Sequence, residues 1–250
     1  MSIHYSNWSH HLQGKAFDLL MEKFQPKECK YILDLGCGTG NNAFKLLNHI
    51  GENGKVLGID PNQERIEIAR ESFGQYQQLK FEQGYAKDVK NFGTNFDLAV
   101  TSTVLNWIPT REKIETFKSN HDCLSLNGEY IFNSVHVERK DQGFFGLLNP
   151  YDRQKLHKHY FPSTERQLHE YLREAGFNKI TIEEIGIRFV LPIKMDEYFQ
   201  WVAASLHIFD YDELLEDLRT REEKDYKHLL DDEGNIVHQW KIFLCKCVKT

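Results

Sequence analysis

Apolar and polar positions fall into two rhythms along this chain. Tyr31, Ile32, Leu33 and Leu35 form a short apolar run beside glycines, which predicts a strand buried on both faces. Asn41 and Asn42 then supply N-cap chemistry for a helix with Phe44, Leu47 and Ile50 on one side. Lys55 to Ile59 reads as a second strand, closed by Asp60. Pro61 suits the first turn of a helix whose apolar side is Ile66, Ala69 and Phe73. Leu79 to Gln83 predicts an edge-like third strand, and Phe96 to Ser102 a fourth. Arg111 to Leu124 predicts a helix, and Gly128 turns the chain into a fifth strand, Tyr130 to Ser134. Ahead of all these, a helix from about His10 to Phe24 docks Leu12, Phe17, Leu20 and Phe24 on a core and ends at Pro26. Alternation of strand and helix predicts parallel pairing with right-handed crossovers, an α/β architecture.

After the fifth strand the rhythm changes. Gln142 to Phe161 is rich in aromatics, histidines and glycines and does not read as core. Pro162 to Glu165 opens a helix that Ser163 caps and Gly176 ends. Lys179 to Val190 and His238 to Val248 read as the sixth and seventh strands, the last preceded by a turn at Gly234-Asn235. Between them, Leu191 to Asp232 carries helices around Met195–Phe209 and Asp212–Leu230.

The chemistry lies between Tyr31 and Asp60. Gly36, Gly38 and Gly40 recur at every second position, so the backbone can take positive φ and a ligand can approach it closely. The following helix start offers free N–H groups to an anionic arm, and Asp60 at a strand end can accept both hydroxyls of a ribose. A nucleoside with an anionic arm is therefore expected. A nicotinamide dinucleotide fits poorly: the Gly-x-Gly-x-x-Gly spacing is absent, and Phe44 is too large to replace its third glycine.

Asp34-Leu-Gly-Cys-Gly-Thr-Gly40 resembles motif I of the class I S-adenosylmethionine-dependent methyltransferases, and Gly58-Ile-Asp-Pro61 resembles their second motif. The resemblance continues through Phe96-Asp97-Leu98-Ala99-Val100 to Trp107. It implies a Rossmann-like, seven-stranded mixed sheet of order 3-2-1-4-5-7-6 with strand seven antiparallel. It also implies a single methyltransferase domain over residues 1–250, with the irregular segments (about 139–162 and 191–232) lying over the carboxyl edge of the sheet as a helical cap. The other reading of those segments is a peripheral bundle that only covers apolar surface. The cap is preferred because the first segment leaves a strand end directly.

On this resemblance the cofactor is S-adenosyl-L-methionine. Asp34, Gly36, Cys37, Gly38 and Gly40 would surround its methionine part, and Asp60 and Pro61 its ribose. Where the family usually has Gly-Asp-Ala after the third strand, this chain has Gly84-Tyr85-Ala86, so Tyr85, Ala86 or Asp88 would meet the adenine. Ser102 and Leu105 would pass beside the methyl group. Leu12-Gln13 and Leu105-Asn106-Trp107 are similar to carboxyl methyltransferases of the salicylate and juvenile-hormone-acid type, and the trans-aconitate enzymes are similar around Trp107. This implies that Gln13 and Trp107 hold a substrate carboxylate, with Gln13 also touching the cofactor. A carboxylate is ionised at pH 7 and needs no general base. Any other acceptor would call on a histidine: His136 after the fifth strand, or His157, His159 or His207 in the cap. A subunit that binds the cofactor without turnover is the remaining alternative.

Composition narrows the partners. The net charge of −6 gives no support for a nucleic-acid partner, leaving a small-molecule methyl acceptor. No apolar run is long enough to span a bilayer, and no signal-peptide pattern opens the chain. The five cysteines have no framework or metal-site spacing, so no metal is expected. Cys245-x-Cys247 should place two reduced thiols on one side of a strand, and a cytoplasmic location is expected.

Overall fold

The computed structural model describes residues 14–136 and 143–250. At its centre is β1 (Cys29–Leu35), whose Ile32, Leu33 and Leu35 are fully buried. It pairs in parallel with β2 (Ile50–Asp60) on one side and β4 (Phe96–Thr101) on the other. β3 (Leu79–Gln83) adds to β2, and β5 (Leu124–Val135) adds to β4, also in parallel. β7 (Ile236–Val248) then runs antiparallel to both β5 and β6 (Lys179–Leu191). The sheet order is β3-β2-β1-β4-β5-β7-β6, as the family resemblance implies.

Alternation along each strand sends side chains to two separate cores. On one face Ile32, Leu98, Val100 and Ile131 meet Phe17 and Leu20 of α1 (14–24). Ala43 of α2 (Asn41–Leu46) and Ile66 of α3 (Gln63–Phe73) complete that face. On the other face Leu33, Ala99 and Phe132 meet Phe117 of α4 (Thr110–Cys123) and, beyond α5 (Pro150–His157), Leu168 and Leu172 of α6 (Glu165–Glu174). Cys245 and Cys247 do share one face, inside this second core.

A third apolar cluster lies beyond the strand ends. It joins α5, α7 (Met195–Ser205), α8 (Tyr211–Arg219) and the turn after α9 (Glu223–Tyr226). Arg221 ties it together by donating to the Leu147 carbonyl at 2.8 Å and pairing with Asp217. No helix among the described residues is long and apolar enough to cross a membrane.

Five local expectations are corrected. α2 ends at Leu46 and a 3-10 turn follows, so Ile50 belongs to β2 and pairs with Cys29. The helix buries Ala43 and Leu46 rather than Phe44, whose ring finds its partners in Phe73 and Tyr76. Phe44 stands outside, stacked on Phe73 at 5.0 Å. The cap of α2 is Gly40, with φ +88°, while Asn41 lies in the first turn and donates to Thr39 Oγ1 at 3.1 Å. α6 starts one residue later than expected: Thr164 and Gln167 form a capping box, and Ser163 is drawn inside to accept from Lys113 Nζ at 2.6 Å. The single helix expected over 212–230 breaks after Arg219 into a bend and two short turns.

Candidate active site

The glycine loop after β1 is clamped onto the end of β2. Gly36 and Cys37 both donate to the Ile59 carbonyl, at 2.7 and 3.0 Å. Gly38 donates to Asp60 Oδ2 at 3.0 Å, and Asn62 donates to Asp60 Oδ1 at 2.9 Å. Each Asp60 oxygen thus keeps lone-pair capacity for a ligand hydroxyl. Gly36 has φ +78°, and a Cβ there would sit 2.2 Å from Val104 Cγ2, so the crossing of loop and Val104 requires glycine.

A cleft of about 170 Å³ opens above this loop. One wall is Gly36, Cys37, Gly38 and Asp60, continued by Pro61, Asn62 and Arg65 at the start of α3. The facing wall is Ser102, Thr103, Val104 and Trp107, which follow β4. Buried Asn133 of β5 fixes that segment, accepting from Thr103 N–H at 2.7 Å and donating to Ser102 Oγ at 2.9 Å. Ser205 and His207, at the end of α7, close the top. The His207 ring meets Trp107 edge-on at 4.6 Å. Burial, then the charge of Arg65, pushes its pKa down.

A second, smaller chamber of about 60 Å³ shares Thr103, Trp107 and Ser205 with the cleft. Phe144, Phe145 and Tyr160 wall it from the first irregular segment, and Trp201 from α7. His238 and Trp240 enter from β7 on one parity, with Val135 from β5. The rings pack at angles: Trp107 on Tyr160 at 5.3 Å, Trp201 on His238 at 5.3 Å, His238 on Trp240 at 5.0 Å. Among the described residues of this wall there is no Asp, Glu, Lys or Arg.

The expected site residues divide accordingly. Gly36, Cys37, Gly38, Asp60, Pro61, Ser102 and Trp107 line the cleft. Asp34 lies beneath the loop, fully buried, with Oδ2 lacking a partner. Burial first, and the charge of Asp60 second, raise its pKa to about 7. Gly40 sits behind the loop, where a Cβ would press on Phe73, Phe81 and Ala69. Tyr85 is 63% exposed, and neither it nor Ala86 or Asp88 is in the cleft wall. Leu105 is fully buried in the core toward α4. His136 is not brought to either chamber: it leaves β5 on the parity opposite to Val135, 3.3 Å from Glu184 of β6 and packed on Phe243. Gln13 lies outside the described residues.

Asn133, Arg65 and His238 escape sequence reasoning. For His238 a signal exists: Ile236, His238 and Trp240 share one parity of a strand, so a polar residue falls where a buried apolar one belongs.

A β-α-β glycine loop closed by an acid, in a sheet of order 3-2-1-4-5-7-6, defines a nucleoside-binding protein of the Rossmann-like class. Residues 32–128 match the family model described as "Methyltransferase domain". The chain is 29% identical over 119 residues to the arsenite methyltransferase of Aquipseudomonas alcaligenes, covering 44% of this chain and 34% of that protein. It is 27% identical over 175 residues to the demethylmenaquinone methyltransferase of Lactococcus lactis, covering 62% and 68%. The chain spans about a third of the length of the arsenite methyltransferases it matches. Its fold is that of the YcgJ protein from Bacillus subtilis, with TM-score 0.63 and 17% identity over 94% of this chain and 98% of that one. It is also that of phosphoethanolamine N-methyltransferase 2 from Haemonchus contortus, with TM-score 0.62 and 15% identity over 99% and 56%. Residues 32–128 thus resemble a methyltransferase domain, and the fold of the whole chain is shared with solved methyltransferase structures.

Proposed function

We propose that this protein transfers a methyl group from S-adenosylmethionine to an oxygen of a small, largely apolar molecule, most simply a carboxylate. One observation carries the reading: the cleft above the glycine loop and the aromatic chamber meet at a shared wall of Thr103, Trp107 and Ser205. A donor in the first and an acceptor in the second would come into contact there.

The residues fit the donor. Asp60 presents carboxylate oxygens for ribose hydroxyls, and the loop leaves its backbone bare of side chains. Buried Asp34, with an unsatisfied oxygen, favours a cationic group nearby. The donor supplies an electrophilic methyl beside a positive sulfur. The protein then has to align an oxygen with that methyl and exclude water. Trp107 can do both, with its ring as wall and its indole N–H as donor. Gln13 is assigned the second contact to the carboxylate on family resemblance. The segments around 143–161 and 191–232 act as a cap on a single domain, since both contribute chamber wall. A reducing, cytoplasmic setting belongs to this reading, supported by five buried free cysteines.

A second reading keeps the enzyme class and changes the acceptor. His207 at the junction has its pKa lowered by burial, so it could take a proton from a phenol or amine. Arsenite finds less support. Such an acceptor calls for soft thiolates, and among the described residues Cys37 is the one cysteine in either wall.

Trp107→Phe tests the shared wall. It should leave S-adenosylmethionine affinity within about twofold, by calorimetry, and lower turnover by roughly 10- to 100-fold, the range for losing one positioning hydrogen bond. Unchanged turnover would remove Trp107 from the site.

A further inference from the structure

The inner chamber holds polar atoms that its apolar walls do not satisfy. Among the described residues nine buried side-chain polar atoms lack a hydrogen-bond partner, and five belong to this one wall. They are Asn106 Oδ1, Trp201 Nε1, Ser205 Oγ, His238 Nε2 and Trp240 Nε1. Buried polar groups are normally paired, because an unpaired one forfeits its hydration for nothing. Their clustering at one cavity points to a ligand that pairs them.

Their chemistry says what kind of ligand. The two indoles can only donate. His238 is a donor as well, by counting partners. Its Nδ1 lies 2.9 Å from the hydroxyl of fully buried Tyr198. If Nδ1–H donated to the phenol, the phenol proton and the Nε2 lone pair would both stay unpaired. If the phenol donates to Nδ1, the only hydrogen left over is the one on Nε2. The second arrangement wastes fewer groups, so Tyr198 fixes the tautomer that presents Nε2–H. Burial holds the His238 pKa down at about 4, so the ring is neutral at pH 7.

The partner of three N–H donors is an acceptor atom, and its charge can be read from the wall. Among the described residues no Lys or Arg lines the chamber, and an anion placed against them would lose its hydration with no countercharge. We propose that the chamber reads a neutral oxygen acceptor, a carbonyl of ketone or ester type, held by Trp201, Trp240 and His238, with Tyr198 as the positioning residue. Resting on the methyltransferase reading, this makes the acceptor two-ended: the oxygen to be methylated lies at the Trp107 junction, and a carbonyl lies at the far end.

The test uses an isosteric pair of neutral probes, acetophenone and α-methylstyrene, which differ only by C=O against C=CH2, together with benzoate. Each is titrated into the full-length protein, with and without S-adenosylhomocysteine, and followed by the indole N–H resonances of its four tryptophans. Acetophenone is expected to bind about tenfold more tightly than α-methylstyrene and to move the Trp201 and Trp240 signals downfield. Benzoate, whose carboxylate belongs at the Trp107 junction, is expected to leave the Trp201 and Trp240 signals in place. Tyr198→Phe should erase most of the ketone preference while leaving α-methylstyrene binding unchanged, and Trp240→Phe gives a second variant should that one fold poorly. Equal affinities, ketone binding without indole shifts, benzoate shifting the Trp201 and Trp240 signals as acetophenone does, or no binding at the solubility limit each overturn the proposal. Ketone preference without S-adenosylhomocysteine binding would keep the chamber and remove the methyltransferase reading; cofactor binding without ketone preference would do the reverse.

Discussion

Asp34 and Asp60 are two carboxylates under one loop, with opposite surroundings. Asp60 accepts two backbone N–H groups at the cleft wall, whereas Asp34 is sealed beneath with one oxygen unpaired. A carboxyl pKa raised by folding, from 3.8 to about 7, adds stability that is complete below pH 4 and is lost as pH rises through 7. Asp34→Asn removes that titration. Relative to the native protein, the cofactor-free variant should gain on the order of 2 kcal/mol between pH 4 and pH 8, read from urea midpoints. Its S-adenosylmethionine affinity should fall at the same time. A stability difference independent of pH would show that Asp34 is ionised throughout. The same logic with the opposite sign applies to His238, whose lowered pKa makes stability fall between about pH 6.5 and pH 4. In Tyr198→Phe, acid denaturation should shift, because the ring loses the buried Tyr198 hydroxyl from Nδ1.

Among elements, the crossing of the glycine loop and the segment after β4 sets the geometry. Gly36→Ala faces both a left-handed φ and a 2.2 Å approach to Val104 Cγ2. It should lower cofactor affinity by at least about tenfold, with melting shifted only a few degrees. Adding Val104→Ala should recover part of that loss, and no recovery would place the strain elsewhere. This crossing was half legible in the sequence. Three alternating glycines after an apolar run announce a tight loop before an acid, because few other patterns need them. Val104 carries no such mark, since its role is to be close to something 68 positions earlier. The same limit explains α2: periodicity offered Phe44, Leu47 and Ile50 as an inner face, but Phe44 packs on Phe73 and Tyr76, distant in sequence, and Ala43 is the buried residue.

At the scale of the molecule, the sheet was readable because strand runs and helix signals are local, while its order came from family resemblance and matches the structure. The aromatic chamber was readable only in part: the aromatics of the two cap segments, Phe144, Phe145, Tyr160 and Trp201 among them, suggest an apolar acceptor pocket, but not that Asn106 and His238 join them. Its wall gathers Asn106, Phe144, Tyr160, Trp201 and His238 from four separated segments, and each alone reads as a packing residue. Lys113 shows how the parts are joined: from α4 it donates to Phe161 O and Ser163 Oγ, while Phe161 N–H donates to Asn106 O at 2.6 Å beside Trp107. Burial lowers its pKa to about 8, so it is mostly charged at pH 7 and its two acceptors matter. Lys113→Met should keep the sheet folded and loosen the cap's return, raising the acceptor KM more than it changes cofactor affinity; a selective loss of cofactor binding would contradict that role.

The most direct test of methyl transfer across the shared wall is mass spectrometry of the full-length protein incubated with methyl-labelled S-adenosylmethionine and a panel of aryl and alkyl acids, phenols and amines. The expected product carries label in an ester that mild base removes, from an acid bearing a remote carbonyl. Label in an amine or a base-stable ether would contradict the carboxylate assignment and make His207 the group to examine. No label in any compound, from a protein that still binds the cofactor, would contradict the enzyme itself.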